Sequence, residues 1–183
     1  CWRTDKPVLY YPLDSWFIRV TAVKDRLVEL NKTINWKPEH TGTGRFGNWL
    51  ENVQDWNLSR SRFWGVPLPI WRTEDDTEEV CVGSVEQLLT GIEQAIAKGY
   101  MTENPYANKQ LSEIDLHRPY IDKVVLVSPS GKPMYREPDL IDGWFDSGAM
   151  PYAQWHYPFE NKDIFAQNFP ADHYVLILSD HGM

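Results

Sequence analysis

Cysteine is nearly missing from this chain, with only Cys1 and Cys81 among 183 residues. Neither lies in a Cys-x-x-Cys or beside a histidine at ligand spacing. A disulfide framework and a zinc ribbon are therefore both unsupported, and a reducing, cytoplasmic setting fits best. A basic excess is missing too: 18 Lys and Arg stand against 26 Asp and Glu, a formal charge of −8. That excludes a generally basic coat for nucleic acid. The apolar runs at 124–127 and 174–178 are far shorter than the roughly 20 residues of a membrane span, so no transmembrane helix is expected. Residues 1–14 lack the ordered basic start, apolar run and small-residue cleavage site of a secretory signal, and the opening reads as a cut inside a longer protein. Internal repeats and low-complexity tracts are absent. What remains, 42% hydrophobic and 24% charged, is ordinary usage for one folded domain or one and a half.

Aromatic residues are abundant instead. Nine Trp, nine Tyr and seven Phe make up 14% of the chain, a large packing resource that either fills a core or walls a pocket. For any single ring the core is the default.

Periodicity outlines the elements. Residues 16–20 alternate as a short strand, and Val20, Val23, Leu27, Leu30 and Ile34 then recur as one helical face. After a loop at 38–44, a second helix is predicted over 47–57 on Trp49, Val53 and Trp56. Residues 63–71 must be extended, as edge strand or pocket wall, because Pro67 and Pro69 deny helix and central ladder alike. The polar 72–79 stretch reads as a surface connection. Ser84 and Gln87 form a capping box for a helix buried through Leu88, Leu89, Ile92, Ala95 and Ile96 and stopped at Gly99. Residues 123–127, the turn at 128–131 and 133–136 form a hairpin, and 139–148 is a loop or strand end.

Three clusters could carry chemistry. Asp139, Asp142 and Asp146 allow paired carboxylates or a hard-metal site, but they match no calcium loop, and turning or capping the chain is their ordinary use. His117 could be a base, although no Ser or Cys nucleophile stands in recognisable context, and a local hydrogen bond accounts for it as well. Arg60 and Arg62 beside Trp64 are suited either to gripping a phosphate under a stacked base or to pairing with nearby acids such as Asp55.

Longer motifs point further. They are Cys1-Trp2-Arg3-Thr4-Asp5, Ser15-Trp16-Phe17-Ile18-Arg19-Val20, Arg45-Phe46-Gly47-Asn48-Trp49-Leu50 and the run Asp55-Trp56-Asn57-Leu58-Ser59-Arg60-Ser61-Arg62-Phe63-Trp64-Gly65-Val66-Pro67. Two more follow, Asp115-Leu116-His117-Arg118-Pro119-Tyr120-Ile121-Asp122 and Trp144-Phe145-Asp146-Ser147-Gly148-Ala149-Met150-Pro151-Tyr152-Ala153-Gln154. Over residues 1 to about 172 the chain resembles the isoleucyl-tRNA synthetases, which are class I aminoacyl-tRNA synthetases. The Ser-Arg-x-Arg-aromatic-Trp-Gly run is shared with the valine and leucine enzymes, whereas the His117 and Trp144 runs favour the isoleucine enzyme.

The resemblance implies an α/β fold: part of a split, Rossmann-like class I catalytic domain with an α+β connective insertion. Its implied order is 1–20 as the exit from the editing insertion, 21–71 as catalytic nucleotide-binding domain, 72–138 as connective insertion and 139–183 as the return to the catalytic domain with an atypical end. It implies an intact enzyme that activates isoleucine with Mg-dependent ATP and transfers it to tRNA, by positioning and charge stabilisation of the phosphates. Trp144 and Asp146 are the implied substrate-binding residues, Trp144 walling the aliphatic pocket. A pocket distinguishes one methylene only weakly, the reason the family also edits. Arg60, Arg62, Trp64 and Gly65 are the implied cleft-lining residues, with no catalytic residue assigned.

Departures from the family pattern matter equally. The His-Ile-Gly-His and Lys-Met-Ser-Lys-Ser types of ATP signature are absent from these 183 residues, so the chain alone is expected to be inactive and to bind no cofactor firmly. Trp71-Arg72-Thr73-Glu74 lacks the cysteines that some relatives use for zinc, and no metal is implied. The family glutamate that contacts the adenylate would fall at position 176, where this chain has Leu176. The ending instead resembles the Ser-Asp-His-Gly strand end of the alkaline phosphatase superfamily through Ser179-Asp180-His181-Gly182; a frameshift, a gene fusion or an artificial boundary explains it equally well. The rival reading is a binding or scaffold product of a truncated or fused gene. Cutting a nucleotide-binding fold would leave strand edges open to self-association.

Overall fold

The computed structural model describes residues 2–9, 11–110 and 113–168. The sequence expectations for Cys1 and for everything from Phe169 onward, Leu176 and the Ser-Asp-His-Gly ending included, lie outside the described residues. The chain divides into two compact units, Cys1–Leu58 and Ser59–Met183.

In the first unit, β1 (Phe17–Ile18) pairs antiparallel with β2 (Trp56–Asn57), and the Leu58 amide extends the pairing to the Trp16 carbonyl at 2.8 Å. The helix predicted from Val20 is shorter than its apolar stripe. A 3₁₀ turn at Val20–Val23 precedes α1 (Lys24–Asn31), leaving Val23 52% exposed and Ile34 beyond the helix. Both ends have a side-chain cause. The Asp55 carboxylate accepts from the Thr21 amide at 3.0 Å and its hydroxyl at 2.7 Å, anchoring the tight turn. Buried Asn31 donates to the Gly42 carbonyl and accepts from Trp36 Nε1, both at 2.9 Å, which turns the chain away from the helix axis.

The loop expected at 38–44 contains a helical turn, α2 (His40–Thr43), and α3 spans Arg45–Glu51 rather than 47–57. Asn52 closes α3, its amide and its side chain both bonding to the Asn48 carbonyl. The Trp49, Val53 and Trp56 stripe is thereby broken: Trp49 is exposed, Val53 is buried just past the helix, and Trp56 lies in β2.

In the second unit, β4 (Ile70–Thr73), β5 (Glu79–Cys81), β6 (Val125–Val127) and β7 (Pro133–Arg136) form an antiparallel sheet in the order β5-β4-β7-β6. Ile70 and Trp71 are therefore central, not edge, because Pro67 and Pro69 precede the ladder and remove no bond from it. The supposed surface connection at 72–79 is a hairpin, with Arg72 opposite Glu79. The 128–131 turn joins β6 to β7 as expected, with Gly131 at φ +87°.

Helix α4 (Val85–Ala97) keeps its predicted limits. Ser84 Oγ accepts from the Gln87 amide at 3.1 Å, Gln87 Oε1 accepts from the Gly83 amide at 2.8 Å, and Gly99 stops the helix at φ +78°. Its Leu88 and Ile92 join Trp71, Tyr106, Ile121, Val124, Leu126 and Met134 in the main core, where Trp71 Nε1 donates to the Val124 carbonyl at 2.9 Å.

A second pair, β3 (Ser59–Arg60) with β8 (Leu140–Ile141), is also antiparallel. The chain then enters α5 (Gly143–Ala153), where the sequence predicted only a loop or strand end; Gly143, Gly148 and Pro151 disguise a helix that Asp142 caps. Helix α6 (Lys162–Asn168) buries Phe165 against Tyr152 and Tyr157. Every strand pairing among the described residues is antiparallel, giving a mixed α and β arrangement of small sheets. No described helix is long and apolar enough to cross a membrane.

Candidate functional site

The β3/β8 pair is two residues long on each side, yet it brings together two motifs separated by more than 70 positions. Arg60 leaves β3 with Nη2 2.5 Å from Asp142 Oδ2 and Nη1 2.8 Å from the Ser59 carbonyl. Asp142, 6% exposed, follows β8 directly, and its other oxygen accepts from the Trp144 amide at 3.2 Å. One carboxylate thus caps α5, complements the positive end of the helix dipole and holds an arginine. Of the two readings of Arg60, ion pairing is the one observed. Its partner is Asp142 rather than Asp55, which accepts from Thr21.

Trp144 stands in the first turn of α5 with 49% of its surface exposed, so its ring is presented rather than packed away. Asp146 follows on the same turn. Burial, and then the negative charge of Asp142, raise its pKa above the ordinary carboxylate value. Asp139 contributes through its backbone, accepting from the Leu68 amide at 3.1 Å. The three aspartates do not converge, and among the described residues no group of three or more His, Cys, Asp or Glu forms a metal centre.

The loop after β3 carries the remaining candidates. Gly65 sits at φ +147°, a backbone conformation that calls for glycine, and a Cβ there would lie 3.2 Å from Leu140 Cδ1. Trp64 is 69% exposed and stacks on His117, with ring centroids 4.7 Å apart and planes 5° from parallel. Arg62 is exposed; its carbonyl accepts from Arg118 Nη1 at 3.2 Å. Arg60, Asp142 and Trp144 therefore form one group, while Trp64 is held by the 115–122 segment.

His117 makes the local contact considered from sequence. Its Nδ1 lies 2.8 Å from Asp115 Oδ1, which also accepts the His117 amide, and these bonds hold the Asp115 pKa down. Sequence reasoning missed Arg118, Asp122 and Arg136. The Arg118/Asp122 spacing of four was the available signal.

Residues 5–178 match the family described as tRNA synthetases class I (I, L, M and V), and the chain belongs to that family. Among curated relatives, the isoleucine–tRNA ligase of Cytophaga hutchinsonii is 71% identical over 172 residues, that of Bacteroides fragilis 67% over 184 and that of Clostridium acetobutylicum 53% over 172. These alignments cover 94%, 94% and 93% of this chain but only 15%, 16% and 15% of the relatives. The chain thus spans about one sixth of the length of the ligases it matches.

Proposed function

We propose that the chain is a stretch of an isoleucine–tRNA ligase whose intact form activates isoleucine with Mg-ATP and passes it to tRNA in the cytoplasm. The observation carrying this reading is the 67–71% identity to isoleucine–tRNA ligases across 94% of the chain, and the Arg60–Asp142 pair supports its site element by joining two of the shared motifs beside the half-exposed Trp144. In this reading Trp144 walls the side-chain pocket, Asp146 lies beside the substrate, and Arg60, Arg62, Trp64 and Gly65 line the cleft.

The finer architecture belongs to the same proposal. Residues 21–71 and 139–183 contribute to a split nucleotide-binding domain, 72–138 is its connective insertion, and 1–20 leads out of the editing insertion. The 183 residues carry neither ATP signature, so the chain alone is expected to bind the aminoacyl moiety without turning over ATP. Magnesium enters with ATP as substrate.

The experiment is a tryptophan-fluorescence titration with a non-hydrolysable isoleucyl-adenylate analogue, against the valyl analogue, on the chain and on Trp144→Ala. Saturable binding that favours isoleucine and disappears in the variant supports the proposal. A folded chain that responds to neither analogue refutes its binding element.

A further inference from the structure

The segment leading from α4 to β6 ends in a group of side chains aimed at the flanks of β3 and β8. Arg118 Nη1 donates to two carbonyls from different parts of the chain, Arg62 at 3.2 Å and Pro138 at 3.0 Å. Its Nε donates to Asp122 Oδ2 at 2.8 Å, and its guanidinium lies 5.4 Å from the Phe63 ring centroid. Asp122 is shared. Arg136, whose side chain is 1% exposed, donates to Asp122 Oδ1 from Nε at 2.8 Å and to the carbonyls of Leu68 and Asp139 from Nη1 at 3.3 and 3.1 Å.

Two guanidiniums bridged by one carboxylate therefore hold the carbonyl of Arg62 just after β3, those of Pro138 and Asp139 just before β8, and that of Leu68 in the segment paired with the other edge of β8. Burial by itself would raise the Asp122 pKa, but its bonds to Arg118 and Arg136 and their charges hold it below the usual value. A ladder of two residues against two does not fix its own register. Arg60 projects from one of these strands, and Asp142 with Trp144 follows the other, so their mutual position depends on whatever holds the flanks.

We propose that Arg118 is a positioning residue: through the Arg62 and Pro138 carbonyls, and with Asp122 and Arg136, it sets β3 against β8 and thereby the arrangement of Arg60, Asp142 and Trp144. His117 completes the device by backing the Trp64 ring. The link to ligand binding rests on the function proposed above; the positioning itself does not.

The test uses Arg118→Gln, and Arg118→Lys as a milder variant that keeps the charge but lacks a separate Nε donor for Asp122, in the 183-residue chain. Amide hydrogen exchange is followed at Arg60 and Leu140, which face each other across β3 and β8, and at Ile92 in α4 as the reference. The expected result is at least about ten-fold faster exchange at Arg60 and Leu140 in Arg118→Gln, an intermediate effect in Arg118→Lys, and no change at Ile92. Unchanged exchange at the first two positions, or equal acceleration at all three, overturns the proposal. With the isoleucyl-adenylate analogue, affinity is expected to fall at least about ten-fold in Arg118→Gln and to recover in part in Arg118→Lys; loosened amides with unaltered affinity overturn the link to the site. If the unmutated chain does not bind the analogue, the function proposed above fails, and exchange alone decides the positioning role.

Discussion

Trp64 and His117 lie face to face, 4.7 Å between centroids and 5° from parallel, although 53 positions separate them in the chain. One belongs to the motif shared across several class I synthetases and the other to the run that favours the isoleucine enzyme. Their stack shows that the segment at 115–122 reaches the Arg60–Gly65 loop directly, and the candidate site is assembled from three motifs.

Asp142 has two tasks that substitutions separate. Asp142→Asn keeps a side-chain oxygen for the Trp144 amide while weakening the charge-assisted bond to Arg60; Asp142→Ala removes both. Urea unfolding is expected to show the alanine variant destabilised by about 1–3 kcal/mol, with asparagine in between, the partial exposure of Arg60 keeping the cost below that of a fully buried pair. Equal losses in the two variants would count against the double role.

The indole N–H of Trp71 is buried and bonded to the Val124 carbonyl. Trp71→Phe removes the donor to that carbonyl and leaves a void in the main core, so a loss of about 2–4 kcal/mol is expected by chemical denaturation.

Gly42 is demanded by space. A Cβ there would lie 2.1 Å from Trp36 Cδ1, a ring held in place by its bond to Asn31. Gly42→Ala is expected to displace the indole, break that bond and lower the thermal midpoint of the first unit, with a change in tryptophan near-ultraviolet dichroism as the check.

Asp122 supplies a pH dependence. Its pKa is lower folded than unfolded, so its contribution is complete above the unfolded carboxylate value of about 3.9 and is lost as pH falls through the lower folded value. The urea-midpoint gap between the chain and Asp122→Asn should be widest near neutrality and close below about pH 4. A gap that is independent of pH would remove the ionised carboxylate from the account.

Self-association is an expectation with a location. Among the described residues the pairs β1/β2 and β3/β8 and the rims of the four-stranded sheet all end in edges, and pairing between copies would use one of them. Sedimentation equilibrium should show mass rising with concentration, and a lysine placed on the responsible rim should suppress it. A monomer at every concentration would withdraw the expectation.

Elements whose signals are local are legible in the sequence alone. Helix α4 carries its own cap, stripe and glycine stop, the β6–β7 hairpin carries its own turn, and both stand where periodicity and turn chemistry put them. The family was legible as well, since runs of ten or more matching residues do not depend on the fold to be recognised. Where distant partners intervene, local pattern failed. Asn31 ends α1 through Gly42 and Trp36, Asp55 tightens the turn at Thr21, and Asp142 starts a helix among glycines while pairing with an arginine 82 residues away. The order of the sheet and the joining of Arg60 to Asp142 were likewise decided by the tertiary structure. Buried polar groups must find partners wherever the chain brings them, and a linear pattern records the demand for a partner without its address.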